Sequence, residues 1–285
     1  MAKGNLILGT AAKSIGDVVM YRRDGQQISR VRVRKIANPK TDAQCEQRAI
    51  MSAVVKFYQP FADVLQRSWQ GLSTAKSYAK FLAANTKILK DSNLWYPKGI
   101  GAMPFKAKLS KGVLPAFGYD LSGDSISFNL GVLAQAPAMA TMGDLSTFFI
   151  SKGAKAGDII SILILKTTKG VVSAQFEVDT TSATTIAEGL NGINVVLNSY
   201  TEDEETSYTV DITPTFGEFA GGGIINSRWD GEKWLRSTSY AVFNAEIVMN
   251  YYGDEAKAAA IASYQGAATD GNPLVYLDGE ELDNA

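Results

Sequence analysis

The sequence predicts an α+β protein, with an N-terminal β-hairpin plus helices and then mostly antiparallel, sandwich-like β-structure. Three observations predict it. Period-two alternation flanks an Asp-Gly pair near the N-terminus. An apolar stripe at helical spacing follows at residues 50–61. Short β-rich runs separated by turn residues fill the chain after residue 118.

Gly4, Gly9 and Gly16 punctuate a loop-rich entry. Asp17–Arg23 (DVVMYRR) reads as a strand. Asp24-Gly25 reads as a two-residue turn, because glycine tolerates the positive φ of a type I′ turn. Gln26–Lys35 (QQISRVRVRK) is the return strand. Its alternation places Arg30, Arg32 and Arg34 on one face and Val31 and Val33 on the other.

Asn38-Pro39 ends the hairpin, and Thr41-Asp42-Ala43-Gln44 has the pattern of a capping box. A helix is expected from Asp42 to Gln59, with Ile50, Val54, Phe57 and Phe61 on its buried stripe and Pro60 splitting off a segment to Trp69. Ser73 caps a further helix, with Asn85 as its C-terminal stop. Residues 91–117 are rich in Gly, Pro and Lys and read as an irregular linker or arm. The expected organisation is therefore a basic hairpin-plus-helices domain at 1–90, a linker at 91–117 and an acidic β-rich region at 118–285.

In that last region strands are expected at Ser125–Leu130, Leu145–Ser151, Asp158–Thr167, Val171–Val178, Ile193–Ser199, Tyr208–Ile212, Gly223–Arg228, Lys233–Arg236 and Thr238–Met249. Lys169-Gly170 and Asp230-Gly231 are turn signals. Ile160–Leu165 (ISILIL) is apolar on both faces and predicts a buried central strand. One helix is expected at Asp254–Tyr264.

The net charge of −1 conceals a division. Residues 1–114 hold 20 Lys/Arg against 6 Asp/Glu, and residues 115–285 hold 8 against 23. Such a split points to partners: a polyanion on the basic part, or basic and acidic parts meeting within one subunit or between copies. The first 40 residues concentrate nine Lys/Arg against Asp17 and Asp24. Arg22, Arg23, Arg30, Arg32, Arg34 and Lys35 are the candidate contacts to nucleic acid or an acidic partner, since guanidiniums spaced about 6.6–7 Å along a strand face can track phosphates. The competing reading is a strand face that charge protects against edge aggregation.

Histidine is absent, which excludes a Ser-His-Asp triad, a Cys-His dyad and His-ligated metals. Cys45 stands alone and reads as a helix residue. The Leu6–Ser14 segment misses phosphate-loop spacing, because Thr10 stands where lysine must follow Gly9. Glu202-Asp203-Glu204-Glu205 lacks the order of a calcium loop. Trp69, Trp95, Trp229 and Trp234 read as core or interface anchors. No enzyme, cofactor or metal is expected, and the start carries neither a secretory segment nor a membrane span. A carboxylate-based polysaccharide hydrolase is the remote alternative, although no spacing selects a pair of acids. A cytoplasmic nucleic-acid- or protein-binding adaptor is the nearer one.

The run Asn38-Pro39-Lys40-Thr41-Asp42-Ala43-Gln44-Cys45-Glu46-Gln47-Arg48 resembles the N-P-x-T-x-A-Q-x-x-Q-R motif of an uncharacterised family of proteins from Bacteroidota and their phages, including crAss-like phages. Val19–Tyr21, Gly25–Gln27 and Arg30 match the family's hairpin, and Trp234-Leu235-Arg236-Ser237-Thr238 resembles a feature near its C-terminus. The resemblance implies a non-catalytic virion structural protein, a capsid or tail component made in the host bacterial cytoplasm. Its implied partners are other virion proteins or copies of itself, with DNA as a further partner of the basic N-terminal face.

Overall fold

The computed structural model describes residues 2–3, 13–15, 18–23, 26–31, 40–100, 103–122, 124–166, 170–202 and 205–266. Its contacts divide the chain into two units, Met1–Lys40 and Thr41–Ala285.

The first unit is a four-stranded antiparallel sheet of β1 (Ala2–Lys3), β2 (Lys13–Ile15), β3 (Val18–Arg23) and β4 (Gln26–Val31), in the order β1-β4-β3-β2. The expected hairpin is its centre, with Val18 opposite Val31 and Arg23 opposite Gln26. The Asp24-Gly25 turn and positions 32–35 lie outside the described residues.

The second unit opens with α1 (Asp42–Tyr58), a 3-10 turn at Gln59–Phe61, α2 (Ala62–Leu65) and α3 (Thr74–Asp91). Ile50, Val54, Phe57 and Phe61 are all buried, as their spacing predicts. Pro60 sits at the start of the 3-10 turn, where its missing N–H costs no bond. The expected capping box does not form: Thr41 precedes α1 but makes no side-chain cap bond. The first turn rests instead on the Cys45 amide donating to the Thr41 carbonyl at 2.9 Å. Asn85 does not stop α3 either. It is buried within the helix, and its side-chain amide pairs with the backbone of Lys108, accepting from the N–H at 2.6 Å and donating to the carbonyl at 3.0 Å. Those bonds to the strand β5 (Lys108–Ser110) make up for the poor helical propensity of asparagine.

The segment expected as a linker is irregular yet part of the core. Leu94, Trp95, Tyr96, Met103, Phe105 and Ala107 are all buried, because one long side chain after another finds the pocket between helices and sheet. The Tyr96 hydroxyl donates to the Pro104 carbonyl at 2.9 Å.

Two main sheets follow. β6 (Asp120–Ser122), β7 (Ser125–Val132), β10 (Ile193–Glu202) and β11 (Glu205–Pro214) form one, ordered β10-β11-β7-β6. The other holds β8 (Ile159–Lys166), β9 (Val171–Glu177), β12 (Phe219–Trp229) and β13 (Trp234–Arg236), ordered β13-β12-β8-β9, with β15 (Val242–Phe243) also on β12. β14 (Ser239–Tyr240) pairs with β5. All these pairings are antiparallel.

β8 is the buried central strand that its sequence predicts. Leu163 and Leu165 join a core with α1, α3 and the 94–109 segment. Ile160, Ile162 and Ile164 join a second core with Ile126 and Phe128 of β7 and Val210 and Ile212 of β11. The helical layer, the five-stranded sheet and the four-stranded sheet thus stack around two apolar layers. In β12 the run Gly221–Gly223 allows close strand approach: a Cβ on Gly222 would lie 2.3 Å from the Leu163 carbonyl oxygen.

Two expected strands are different elements. Leu145–Ser151 belongs to the helix α4 (Met142–Ser151), which Thr141 and Asp144 cap reciprocally. The Thr141 amide donates to Asp144 Oδ2 at 2.9 Å and the Asp144 amide to Thr141 Oγ1 at 3.2 Å. Leu145, Phe148 and Phe149 then share the buried face at helical spacing, and a short apolar run is ambiguous without its cap. Thr238–Met249 breaks into β14, β15 and a one-turn helix α6 (Ala245–Val248), because Asn244 caps a helix there, accepting from the Glu246 amide at 3.0 Å. A second one-turn helix, α5 (Ile186–Gly189), precedes β10. α7 (Gly253–Gln265) ends the described chain, packed on α1. Among the described residues no helix is long and apolar enough to cross a membrane.

Candidate functional site

The arginine face predicted from the sequence falls on the first unit, and the strand register distributes its members. Cross-strand partners share a face, so positions 19, 21 and 23 of β3 lie on the face of positions 26, 28 and 30 of β4. Arg22 and Arg23 belong to β3, paired with Gln27 and Gln26, and Arg30 belongs to β4, paired with Val19. Arg30 is exposed, and so is Val31, at 74%. Arg32, Arg34 and Lys35 lie outside the described residues.

The second unit carries a cationic cleft that sequence reasoning missed. It lies between α2 with the residues after it and strands β8, β9, β12 and β13 of the five-stranded sheet. Arg67 follows α2; Arg236 and Trp234 come from β13; Ser227 of β12 and Ser161 of β8 form the floor. Arg236 is held in place by its Nε donating to the Arg67 carbonyl at 3.3 Å and by its guanidinium lying 5.3 Å from the Trp234 ring centre. Burial, and then the charge of Arg67 beside it, pull the Arg236 pKa below the usual guanidinium value. Trp229 pairs across the strands with Trp234, their ring centres 5.5 Å apart, and both remain partly exposed.

The cleft encloses about 170 Å³. Small-molecule and nucleotide sites occupy roughly 300–1,000 Å³, so this one suits a single side chain or small anion. The signals for it were the Asp230-Gly231 turn and the Trp234–Thr238 run. The turn is a four-residue connection in which Asp230 Oδ1 accepts from the amides of Glu232 and Lys233 at 3.0 and 2.7 Å, and it brings the two tryptophans together. Nothing local foretold Arg67, which is 169 residues from Arg236.

Arg228, by contrast, is structural. Its Nε and Nη2 donate to Asp158 at 2.6 and 2.7 Å, and Asp158 also accepts from the Lys155 amide at 2.8 Å and Asn226 at 3.2 Å. Burial alone would raise the Asp158 pKa, but the Arg228 hydrogen bonds, the Lys155 amide and Asn226 hold it below the usual carboxylate range. An apolar groove of about 400 Å³ lies between the end of β7 and α4, lined by Leu130, Leu133 and Phe148, with Lys152 at its rim. Each of these two clefts is lined by one carboxylate, Asp63 in the first and the helix-capping Asp144 in the second. Among the described residues no three Cys, Asp or Glu side chains gather as a metal ion would require.

The packing also shows how the charge division is arranged. Its basic helical segment (41–114) and acidic segment (115–285) pack into one unit. An ion pair that bridges them, Glu46 with Lys257 at 3.1 Å, joins an acid from the basic segment to a base from the acidic one.

No curated protein and no solved structure matches the chain. The family comparison agrees with the resemblance at the level of an uncharacterised family: a model described as a family of unknown function, DUF6266, matches residues 10–212, and the chain belongs to that family.

Proposed function

We propose that the protein is a non-catalytic structural component of a phage virion, of the Bacteroidota-phage kind, that takes part in particle assembly. It is made in the host cytoplasm and works in the particle. Its partners are copies of itself or other virion proteins, and its N-terminal unit is the DNA-facing or acidic-partner-facing part. The observation that carries this reading is the concentration of positive charge on the small N-terminal unit, while the larger change of sign falls after residue 114, inside the second unit. Residues 1–40 hold nine Lys/Arg against two Asp/Glu, and residues 41–285 hold 19 against 27. A small cationic unit joined to a larger anionic one suits head-to-tail contact between copies, and it also suits anchoring on a polyanion.

The test is a salt titration on the full chain, with self-association followed by analytical ultracentrifugation and DNA binding by fluorescence anisotropy. Salt-sensitive self-association supports an assembly role. If DNA is a partner, affinity ignores base sequence and falls about a thousandfold or more between about 50 and 200 mM salt when six or more phosphates are engaged. Changing Arg30, Arg32 and Arg34 together to Ala then abolishes it. A chain that stays monomeric at every salt and binds no DNA removes the proposal.

A further inference from the structure

The outer edge of β10 is the feature of the fold that the reading above does not use. β10 ends the four-stranded sheet, and among the described residues no strand pairs with its outer side. Ten residues long, it spans about 33 Å at about 3.3 Å per residue. Its first eight residues, Ile193–Tyr200 (INVVLNSY), contain no charge and no proline.

Natural sheets protect edges by keeping them short, by charging them, or by interrupting them with proline or a bulge. Most of the other edges among the described residues follow that rule more closely. β6 and β13 have three residues each and carry Asp120 and Arg236; β9 is longer and ends on Glu177. β1 and β2 have two and three residues and carry Lys3 and Lys13. Among the described residues β10 presents the longest neutral edge, with eight uncharged residues from its start against the six of β9 (Val171–Phe176). Its solvent face adds apolar surface, with Val196 44% and Tyr200 65% exposed, while Val195 and Leu197 pack inward on the second core.

We propose that the β10 edge is the self-association surface of the protein, pairing antiparallel with β10 of a second copy across a two-fold axis to continue the sheet from four strands to eight. Charge selects the partner and the direction. The far end of β10 carries Glu202, and Asp203, Glu204 and Glu205 follow it in sequence. Parallel pairing would set two such acidic ends side by side. Antiparallel pairing sets them about 33 Å apart, several times the Debye length of about 8 Å at physiological salt. The neutral Ile193–Tyr200 stretches then face each other, and a two-fold axis makes a single edge complementary to itself. The inference deepens the assembly reading and rests on it.

The experiment is sedimentation of the full chain over a concentration series, for wild type, Val196→Lys and Ala259→Lys. Ala259 is exposed on α7 and carries the same charge change as a control. Val196→Lys weakens self-association by about tenfold or more, since the two lysines meet across the new interface, while Ala259→Lys associates as wild type. Because β10 also lines a core, the variant could misfold. Amide hydrogen exchange of the wild type is therefore read beside it, and protection at 193–200 rises with concentration. Association that persists in Val196→Lys, without concentration-dependent protection of β10, overturns this surface and leaves the assembly reading standing. A wild type that never associates and never binds DNA overturns both.

Discussion

The two large sheets of the second unit use similar β-forming residues in opposite ways. β8 in the five-stranded sheet is covered on both faces and paired on both edges, so its sequence is a continuous apolar run. β10 in the four-stranded sheet is covered on one face and, among the described residues, paired on one edge; its sequence alternates in burial, and its first eight residues carry no charge. Each sheet also has one carboxylate that ties strands together. Asp158 is buried against Arg228 and Asn226. Asp211 is only half-buried, accepting from Ser127 at 2.5 Å and Asn198 at 2.6 Å. The carboxylate tie is therefore buried in one sheet and half-exposed in the other.

Substitutions can break that contrast. The largest loss is expected from Asp158→Ala, about 3–5 kcal/mol, since Arg228 and Asn226 are left without their acceptor; Asp211→Asn costs under about 1 kcal/mol. Urea denaturation compares the two, and equal losses would erase the distinction between the sheets. The Asp158 contribution has a defined pH sense. Its folded pKa is depressed, so its stabilisation is fully present above the unfolded value of about 3.9 and is lost as pH falls through the folded one. Acid unfolding of Asp158→Ala is accordingly less steep than that of wild type.

Next in size is Leu163→Ala, at about 2–5 kcal/mol for a cavity in the first core. Val196→Ala, on the exposed face of β10, stays within about 0.5 kcal/mol. A comparable loss at both positions would mean that β10 is buried in solution. A smaller effect comes from Asn85→Ala, about 1–3 kcal/mol, because the Lys108 N–H and carbonyl lose their partner; Asn85→Asp, which keeps the acceptor but not the donor, recovers part of it at most. Thr141→Ala is the smallest, about 1 kcal/mol through loss of the α4 cap.

Periodicity carried most of what was legible. The hairpin, the Ile50–Phe61 stripe, the buried ISILIL strand and the α7 helix each have one pattern repeated over several residues, so the sequence alone reveals them. Elements decided by a single side chain were harder. α4 turns on Thr141 and Asp144, and without that cap its apolar run reads equally as a strand. Asn85 looks like a helix stop until its distant backbone partner is known. Gly- and Pro-rich 91–117 looks like a linker because local composition does not show where Trp95, Met103 and Phe105 are buried. The cleft was the least legible, since Arg67 and Arg236 meet only through tertiary packing. The Arg30–Arg34 face rests on alternation, and Arg30 is the member whose exposure is described.

The Asn85 amide has one more consequence. It presents β5 with one donor and one acceptor, as another strand would, so a helix supplies a rung of a ladder. Helical residues step by about 100° around the axis, so inserting or deleting one residue between Ser73 and Asn85 would swing that rung away from Lys108. The helix and the strand are keyed to each other like a lock with a single pin, so a one-residue insertion into α3 costs more than the same insertion into a surrounding loop.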